Sequence, residues 1–186
     1  MTCIVGLVDK GTVWLGGDSA GTAGYDYVIR KDKKVFRKSQ MIFGFTSSFR
    51  MGQLIQTSLA IPKHVAKLSD FVYLTTVFID SVMTCFKEKA FAEIKDNRMV
   101  GGQFLVGYRG KIYDIDADFQ IGVPALNYEA CGCGEVYAKG AMYAQAKDKL
   151  APKAKITCAL AAAAEFSHAV RPPWNFVSLS GNKRNG

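Results

Sequence analysis

Residues 1–22 read MTCIVGLVDKGTVWLGGDSAGT, and this stretch decides the fold. The apolar run Cys3, Ile4, Val5, Leu7, Val8 begins directly after Thr2, so residues 2–9 predict a buried strand with Thr2 held at its edge. DKG at 9–11 predicts a tight hairpin turn, and TVWLGGD at 12–18 the return strand. A threonine fixed at the start of a core strand is a candidate nucleophile. If Met1 is removed, its own α-amine can serve as the base. The next residues outward are SAGTAGYD, which reads as a loop, then short strands over 26–30, 33–38 and 41–46.

Beyond residue 46 the hydrophobic period changes. Apolar positions recur at helical spacing over 47–59 and 69–94, with Ser69 as a candidate N-cap and Pro62 between the two helices. GGQFLVGYRGKIYDID at 101–116 predicts a second hairpin turning at YRG. A loop then feeds a helix over 134–150. Pro152 ends that helix, a second helix follows within 153–170, and PPWNFVSLSG closes with a strand. The order is strands, two helices, strands, two helices, strand. This is an α+β pattern, best buried as two stacked antiparallel sheets with a helix pair on each outer face, a four-layer αββα sandwich.

The chain has 186 residues, 49% of them hydrophobic and 22% charged, which suits one globular domain spanning 1–186. No apolar run approaches the roughly 20 residues of a membrane helix, and Asp9 interrupts the first apolar segment too early for a signal peptide. A cytoplasmic protein is expected. The five cysteines (Cys3, Cys85, Cys131, Cys133, Cys158) are scattered and odd in number, so reduced thiols are expected. Cys131 and Cys133 lack a second pair or a histidine cluster at zinc spacing. No metal and no cofactor is expected. His64 and His168 lie in no recognisable catalytic motif and read as surface or helix-end residues.

The net charge of +8 has its densest patch at RKDKKVFRK, residues 30–38. A solvated face is the ordinary reading of such a patch, and a nucleic-acid-binding module an alternative one. Strand alternation argues against the module, because Lys34, Phe36 and Lys38 would face one way and Lys33 and Arg37 the other. Lys34 also has a better use. Thr2 opens the first strand, Asp18 ends the second and Lys34 follows, with sixteen positions in each step. A lysine beside a hydroxyl lowers the cost of an alkoxide, and a carboxylate beside that lysine keeps it charged and aimed. A free α-amine, with an ordinary pKa of roughly 7.7–8.0, is partly neutral at pH 7 and accepts a proton. The β-branched threonine restricts its own hydroxyl rotamer.

In this order the residues resemble the proteasome β-subunit family of N-terminal nucleophile hydrolases, and within it the bacterial HslV-type peptidase. The resemblance is specific over residues 2–48 and 130–141 and weak over 50–100 and after 165. It implies the Ntn-hydrolase fold, with Thr2 as nucleophile supported by Asp18 and Lys34. MIFGFTSS resembles the strand whose glycine amide forms the oxyanion hole, here Gly44. Thr22 and Ser19 fall in the substrate-binding segment, with Phe45, Ser47 and Phe49 around an S1 pocket of apolar P1 preference. ACGCGEVYAKGA resembles the G-S-G loop, with Cys133 in place of its serine. The acid that supports the threonine near the last helix–strand junction of proteasome subunits has no counterpart in HAVRPPWNF. The resemblance further implies a homo-oligomer of stacked rings, peptide or unfolded-protein substrates and an AAA+ unfoldase partner; as a departure from the family, only Met1 is expected before Thr2, with no propeptide. Two alternatives share the resemblance, a catalytically inactive ring-forming scaffold and a non-peptidase amidase.

Overall fold

The computed structural model describes residues 2–24 and 26–181. Met1, whose removal the nucleophile reading requires, lies outside them. The chain opens with strands β1 (Ile4–Asp9), β2 (Thr12–Gly17), β3 (Ala20–Ala23), β4 (Asp26–Ile29), β5 (Val35–Lys38) and β6 (Met41–Phe45). Helix α1 (Phe49–Thr57) follows, then α2 (Asp70–Tyr73), which runs through a π-helical turn at Leu74–Phe78 into α3 (Ile79–Glu88). Next come β7 (Glu93–Lys95), β8 (Arg98–Val100), β9 (Phe104–Tyr108), β10 (Lys111–Ile115), β11 (Ile121–Gly122) and β12 (Tyr128–Cys131). Helices α4 (Glu135–Ala144) and α5 (Pro152–Phe166) and strand β13 (Asn175–Ser180) complete the order.

Two antiparallel sheets carry the architecture. One has the order β12-β1-β2-β13 and the other β11-β10-β9-β6-β5. Strand alternation sorts the apolar residues into three cores. Cys3, Val5 and Leu7 of the β1 segment face α4 and α5, packing with Met142, Ile156 and Leu160. Ile4, from the opposite face, packs between the sheets with Val13, Leu15, Val35, Ile42 and Leu105. Met41, Phe43, Phe45, Phe104 and Val106 face α1 and α3. Three apolar interfaces between four layers are the αββα sandwich.

Both expected hairpin turns form, and for the same reason. Lys10 and Gly11 have φ of 47° and 75°, and Arg109 and Gly110 have φ of 47° and 77°. Positive φ at both central residues matches the twist of the flanking strands. Ser69 caps α2 by accepting from Val72 N at 3.2 Å, and Ser48 caps α1 by accepting from Arg50 N at 3.1 Å. Pro152 opens α5 at its first turn, where its missing N–H costs nothing.

Four readings need correction. The segment expected as a loop contains a strand: β3 pairs with β4 as a separate hairpin. The helix expected to reach residue 94 ends at Glu88. Ala90 takes a φ of 52°, Ala90 N donates to Lys87 O, and Phe91 N donates to Phe86 O. This is a Schellman closure with alanine where glycine is usual, sealed by the Phe91 ring against Phe86. Helix α4 stops at Ala144, six residues early, and Gln145 ties that end to Lys155 O at 2.8 Å. Strand β12 and the β7–β8 hairpin went unpredicted.

Candidate active site

Asp18 sits just past the end of β2, and Lys34 just before β5. Stacking the two sheets brings these ends together beside the start of β1. Lys34 Nζ lies 2.8 Å from Asp18 Oδ1, and neither side chain has any solvent exposure. The same Oδ1 accepts from Cys3 N at 3.1 Å, and Oδ2 accepts from Ala20 N at 2.9 Å. Lys34 also donates to Ala20 O at 2.6 Å. One carboxylate thus fixes the residue next to Thr2, the turn into β3 and the buried ammonium. Burial pushes Lys34 below the usual lysine range, and the adjacent Asp18 pulls it back up.

Thr2 is buried at 4% exposure. Its carbonyl accepts from Gly134 N and from the Cys133 thiol, each at 3.4 Å. Gly132, with φ of 93°, passes so close that a Cβ there would stand 2.3 Å from Thr2 O and 3.0 Å from the Thr46 methyl. The C-G-C-G segment therefore grips the Thr2 carbonyl, and Thr46 shares the same space. The Cys3 and Cys131 thiols do not compete as nucleophiles. Burial, reinforced by Asp18, raises the Cys3 thiol far above the usual range, and burial does the same at Cys131.

Other expected site residues fall in different places. Gly44 lies in the interior of β6, between β5 and β9. Phe45 N donates to Lys34 O and Thr46 N to Gln103 O, so alternation of the ladder commits the Gly44 amide to Leu105. Its lack of a side chain makes room for Ile4, whose Cγ2 would be 2.5 Å from a Cβ. Gly44 is a packing residue. The ladder ends one residue after Thr46, at Ser47, whose φ of 59° turns the chain out of the sheet. Ser19 does not face a ligand either. It is 1% exposed, donating to Pro173 O at 2.6 Å and accepting from Asn175 Nδ2 at 2.9 Å. Phe45 packs in the helix–sheet core and meets Phe49 edge-on.

Thr22 and Phe49 do meet at a cavity. A shallow space of 270 Å³ is lined by Thr22, Tyr27, Val28, Arg30 and Phe49 among others. The Arg30 guanidinium lies 3.8 Å from the Phe49 ring centre and is held by a two-point pair with Asp32. The Lys34 ammonium lies 5.5 Å from the same ring, which ties the cavity to the Asp18–Lys34 pair. A larger cavity of 730 Å³, around Asp70, Arg109 and Tyr113, lies at the other end of β9 and includes none of these residues.

Several contributors carry no legible sequence signal. Arg171 N approaches Asp18 Oδ2 at 3.5 Å, and its guanidinium caps α5 through Ala164 O, Ser167 O and Val170 O. Ser167 meets the Cys133 thiol at 3.6 Å. The junction that lacks an acid is thus built around an arginine. His64, expected at the surface or a helix end, has its side chain buried between Tyr108 OH at 2.7 Å and Leu68 O at 2.9 Å. Among the described residues no group of histidine, cysteine, aspartate or glutamate is arranged to hold a metal.

Comparison with solved structures places this architecture. The bacterial proteasome homologue BPH of Thiobacillus denitrificans, solved with epoxomicin, superposes with a TM-score of 0.81 at 19% identity, covering 97% of this chain and 100% of that one. The same protein without the inhibitor gives 0.80 at 19% identity, covering 98% and 100%. The chain has the fold of an HslV-type subunit. HslV from Trypanosoma brucei agrees, at a TM-score of 0.70 and 20% identity over 96% of this chain and 99% of that one. No family model matches the sequence, and no curated protein matches it. The HslV-type fold accounts for both sheets and the two helical layers. Among the described residues no helix is long and apolar enough to cross a membrane.

Proposed function

We propose that this chain is an N-terminal threonine peptidase of the HslV-type family, working as a subunit of a self-compartmentalising ring in the cytoplasm. The observation that carries the reading is the sharing of Asp18 Oδ1 between Cys3 N and the buried Lys34 ammonium. A fully desolvated ion pair is costly and contributes little to stability by itself. Its position next to Thr2 supports a chemical use.

In this mechanism Met1 is removed and the Thr2 α-amine becomes the base. Thr2 Oγ attacks the substrate carbonyl, and its proton passes to the amine. Lys34 stabilises the developing alkoxide electrostatically, and Asp18 fixes Lys34. The tetrahedral oxyanion takes a hydrogen bond from the Ser47 amide, the first beyond the β6–β9 ladder, and not from Gly44. One such donor is worth about 10²–10³ in rate. The proton returns to the leaving amine, an ester on Thr2 forms, and water hydrolyses it. Substrate adds as a strand beside β3, where Thr22 lies, and its side chain enters the cavity beside Phe49. The epoxomicin complex of the Thiobacillus protein supports an electrophile-accessible site in this fold. Substrates are peptides or unfolded protein, delivered by an AAA+ unfoldase.

One observation favours a second reading, an inactive ring-forming scaffold. Cys133 offers a thiol, a weak donor, where the resemblance calls for a serine hydroxyl. Intact mass after treatment with a peptide epoxyketone decides between them. Loss of Met1 and a single adduct on Thr2, absent in Thr2→Ala, supports the peptidase. Retained Met1 without adduct overturns it in favour of the scaffold.

A further inference from the structure

Asp114 is the most anomalous half-buried group outside the Asp18–Lys34 pair. Its Oδ1 is the one buried side-chain polar atom among the described residues without a hydrogen-bond partner. It sits on β10, on the face turned toward the other sheet, as Ile112 does. Its Oδ2 accepts from Gln103 Nε2 at 3.4 Å, and the same amide donates to Asp116 Oδ1 at 3.2 Å. The charged and titratable groups around it are Asp116 beyond the end of its own strand, Glu129 and Cys131 on β12, and Lys139 on α4, which is paired with Glu129. Burial first, then Asp116 and Glu129, raises the Asp114 carboxyl to about 7.

Gln103 connects this carboxyl to the site. Its backbone carbonyl accepts from Thr46 N at 3.1 Å and Thr46 Oγ1 at 3.0 Å, and its backbone N–H donates to Ser47 Oγ at 3.2 Å. Every polar group of Gln103 named here is spent either on the acid pair or on the Thr46–Ser47 turn. That turn borders Thr2 through Gly132.

We infer that Asp114 is a positioning residue that acts through Gln103 on the Thr46–Ser47 turn beside Thr2, and that its protonation sets the order of that turn. As the neutral acid, Asp114 leaves the Gln103 amide to Asp116 and adds no charge to the acid cluster. As a carboxylate it draws the Gln103 amide away from Asp116 and repels both Asp116 and Glu129. The turn that follows Gln103 then loosens. The Ser47 amide, the donor to the substrate oxyanion, is better ordered on the acid side of the Asp114 transition. This consequence rests on the peptidase reading above, but the coupling itself does not.

The test is hydrogen–deuterium exchange of the peptide spanning Thr46 and Ser47, from about pH 5 to about pH 9, corrected for the intrinsic pH dependence. Wild-type protein is expected to lose protection by several-fold across the Asp114 transition. Asp114→Asn, which keeps the shape and removes the titration, is expected to give a flat profile. An intact thermal transition in that variant shows that it folds. Gln103→Glu would carry a second acid on the same path and is expected to loosen the turn across the whole range. Equal profiles in wild type and Asp114→Asn, or a wild-type turn with no pH dependence, overturn the inference. The epoxyketone labelling rate over the same range is the second readout. If the wild type labels, its rate should fall with the turn's protection, and Asp114→Asn should lose that dependence. If the wild type never labels, the peptidase reading fails while the exchange profile still decides the coupling.

Discussion

Asp18 and Lys34 meet at 2.8 Å through Oδ1, an oxygen that simultaneously accepts the amide of Cys3. The ammonium, the carboxylate and the first strand are therefore one mechanical unit. Removing either charge alone leaves the other uncompensated in a dry site. Asp18→Asn should destabilise the protein by about 3–5 kcal/mol, whereas Asp18→Asn combined with Lys34→Met should recover part of that loss. Denaturant midpoints of the three variants check this. A double variant as unstable as the sum of the singles would show that the pair is not coupled.

Gly44 is a packing residue, so its replacement is expected to act on stability. A Cβ there meets Ile4 Cγ2 at 2.5 Å and Val35 Cγ1 at 3.3 Å. Gly44→Ala should cost about 1–3 kcal/mol through overpacking between the sheets. The midpoint should fall with the m-value unchanged. A variant of unchanged stability that loses labelling by an epoxyketone would restore the oxyanion role to Gly44.

Cys133 reaches the Thr2 carbonyl with a thiol at 3.4 Å. Cys133→Ser supplies a shorter, stronger donor at the same point. A gain of about 1 kcal/mol in holding Thr2 corresponds to roughly fivefold faster labelling by an epoxyketone. Labelling kinetics followed by intact mass measure it. A slower rate would mean that the thiol itself, or its contact with Ser167, is what the site requires.

Phe49 forms the apolar wall of the cavity beside Thr22, with Arg30 stacked on it. Phe49→Ala should lower kcat/KM for peptides with an apolar P1 side chain by about 10–200-fold, the range a hydrophobic pocket supplies. Basic-P1 peptides should be much less affected. Equal losses for both, measured with matched fluorogenic peptides, would place P1 elsewhere.

Asp114 also fixes the sign of a stability–pH relation. Its folded value of about 7 stands above its ordinary 3.8, so the folded state binds the proton more tightly than the unfolded chain. Its contribution is fully present below the unfolded value and is lost as pH rises through the folded one. Between these values wild-type stability should decline relative to Asp114→Asn, and the two should run parallel outside the window. Thermal midpoints across the pH range check it. A wild type that gains stability relative to the variant over that interval would contradict the assignment.

The strands around Thr2 were legible because their signals are local. The apolar run over 2–9, the Lys10–Gly11 turn and the Arg109–Gly110 turn each need only neighbouring residues, and each formed as expected. The end of α3 was not legible, since its Schellman closure uses Ala90, which carries none of glycine's preference for positive φ. Nor was β12, a four-residue edge strand beside a glycine-rich turn. Its pairing with β1 spans more than a hundred residues of chain.

The sequence by itself determined the αββα order of elements and the even spacing of Thr2, Asp18 and Lys34. These follow from periodicity and from residue types whose chemistry is fixed. Only the tertiary structure decided which of the surrounding residues face the site. Ser19 and Phe45 turned inward and Gly44 was absorbed into a ladder, because a side chain's direction depends on which strand pairs with its own. Arg171 and Gln103 reached the site from segments distant in sequence, brought there by strand pairing within each sheet, β13 with β2 and β9 with β6.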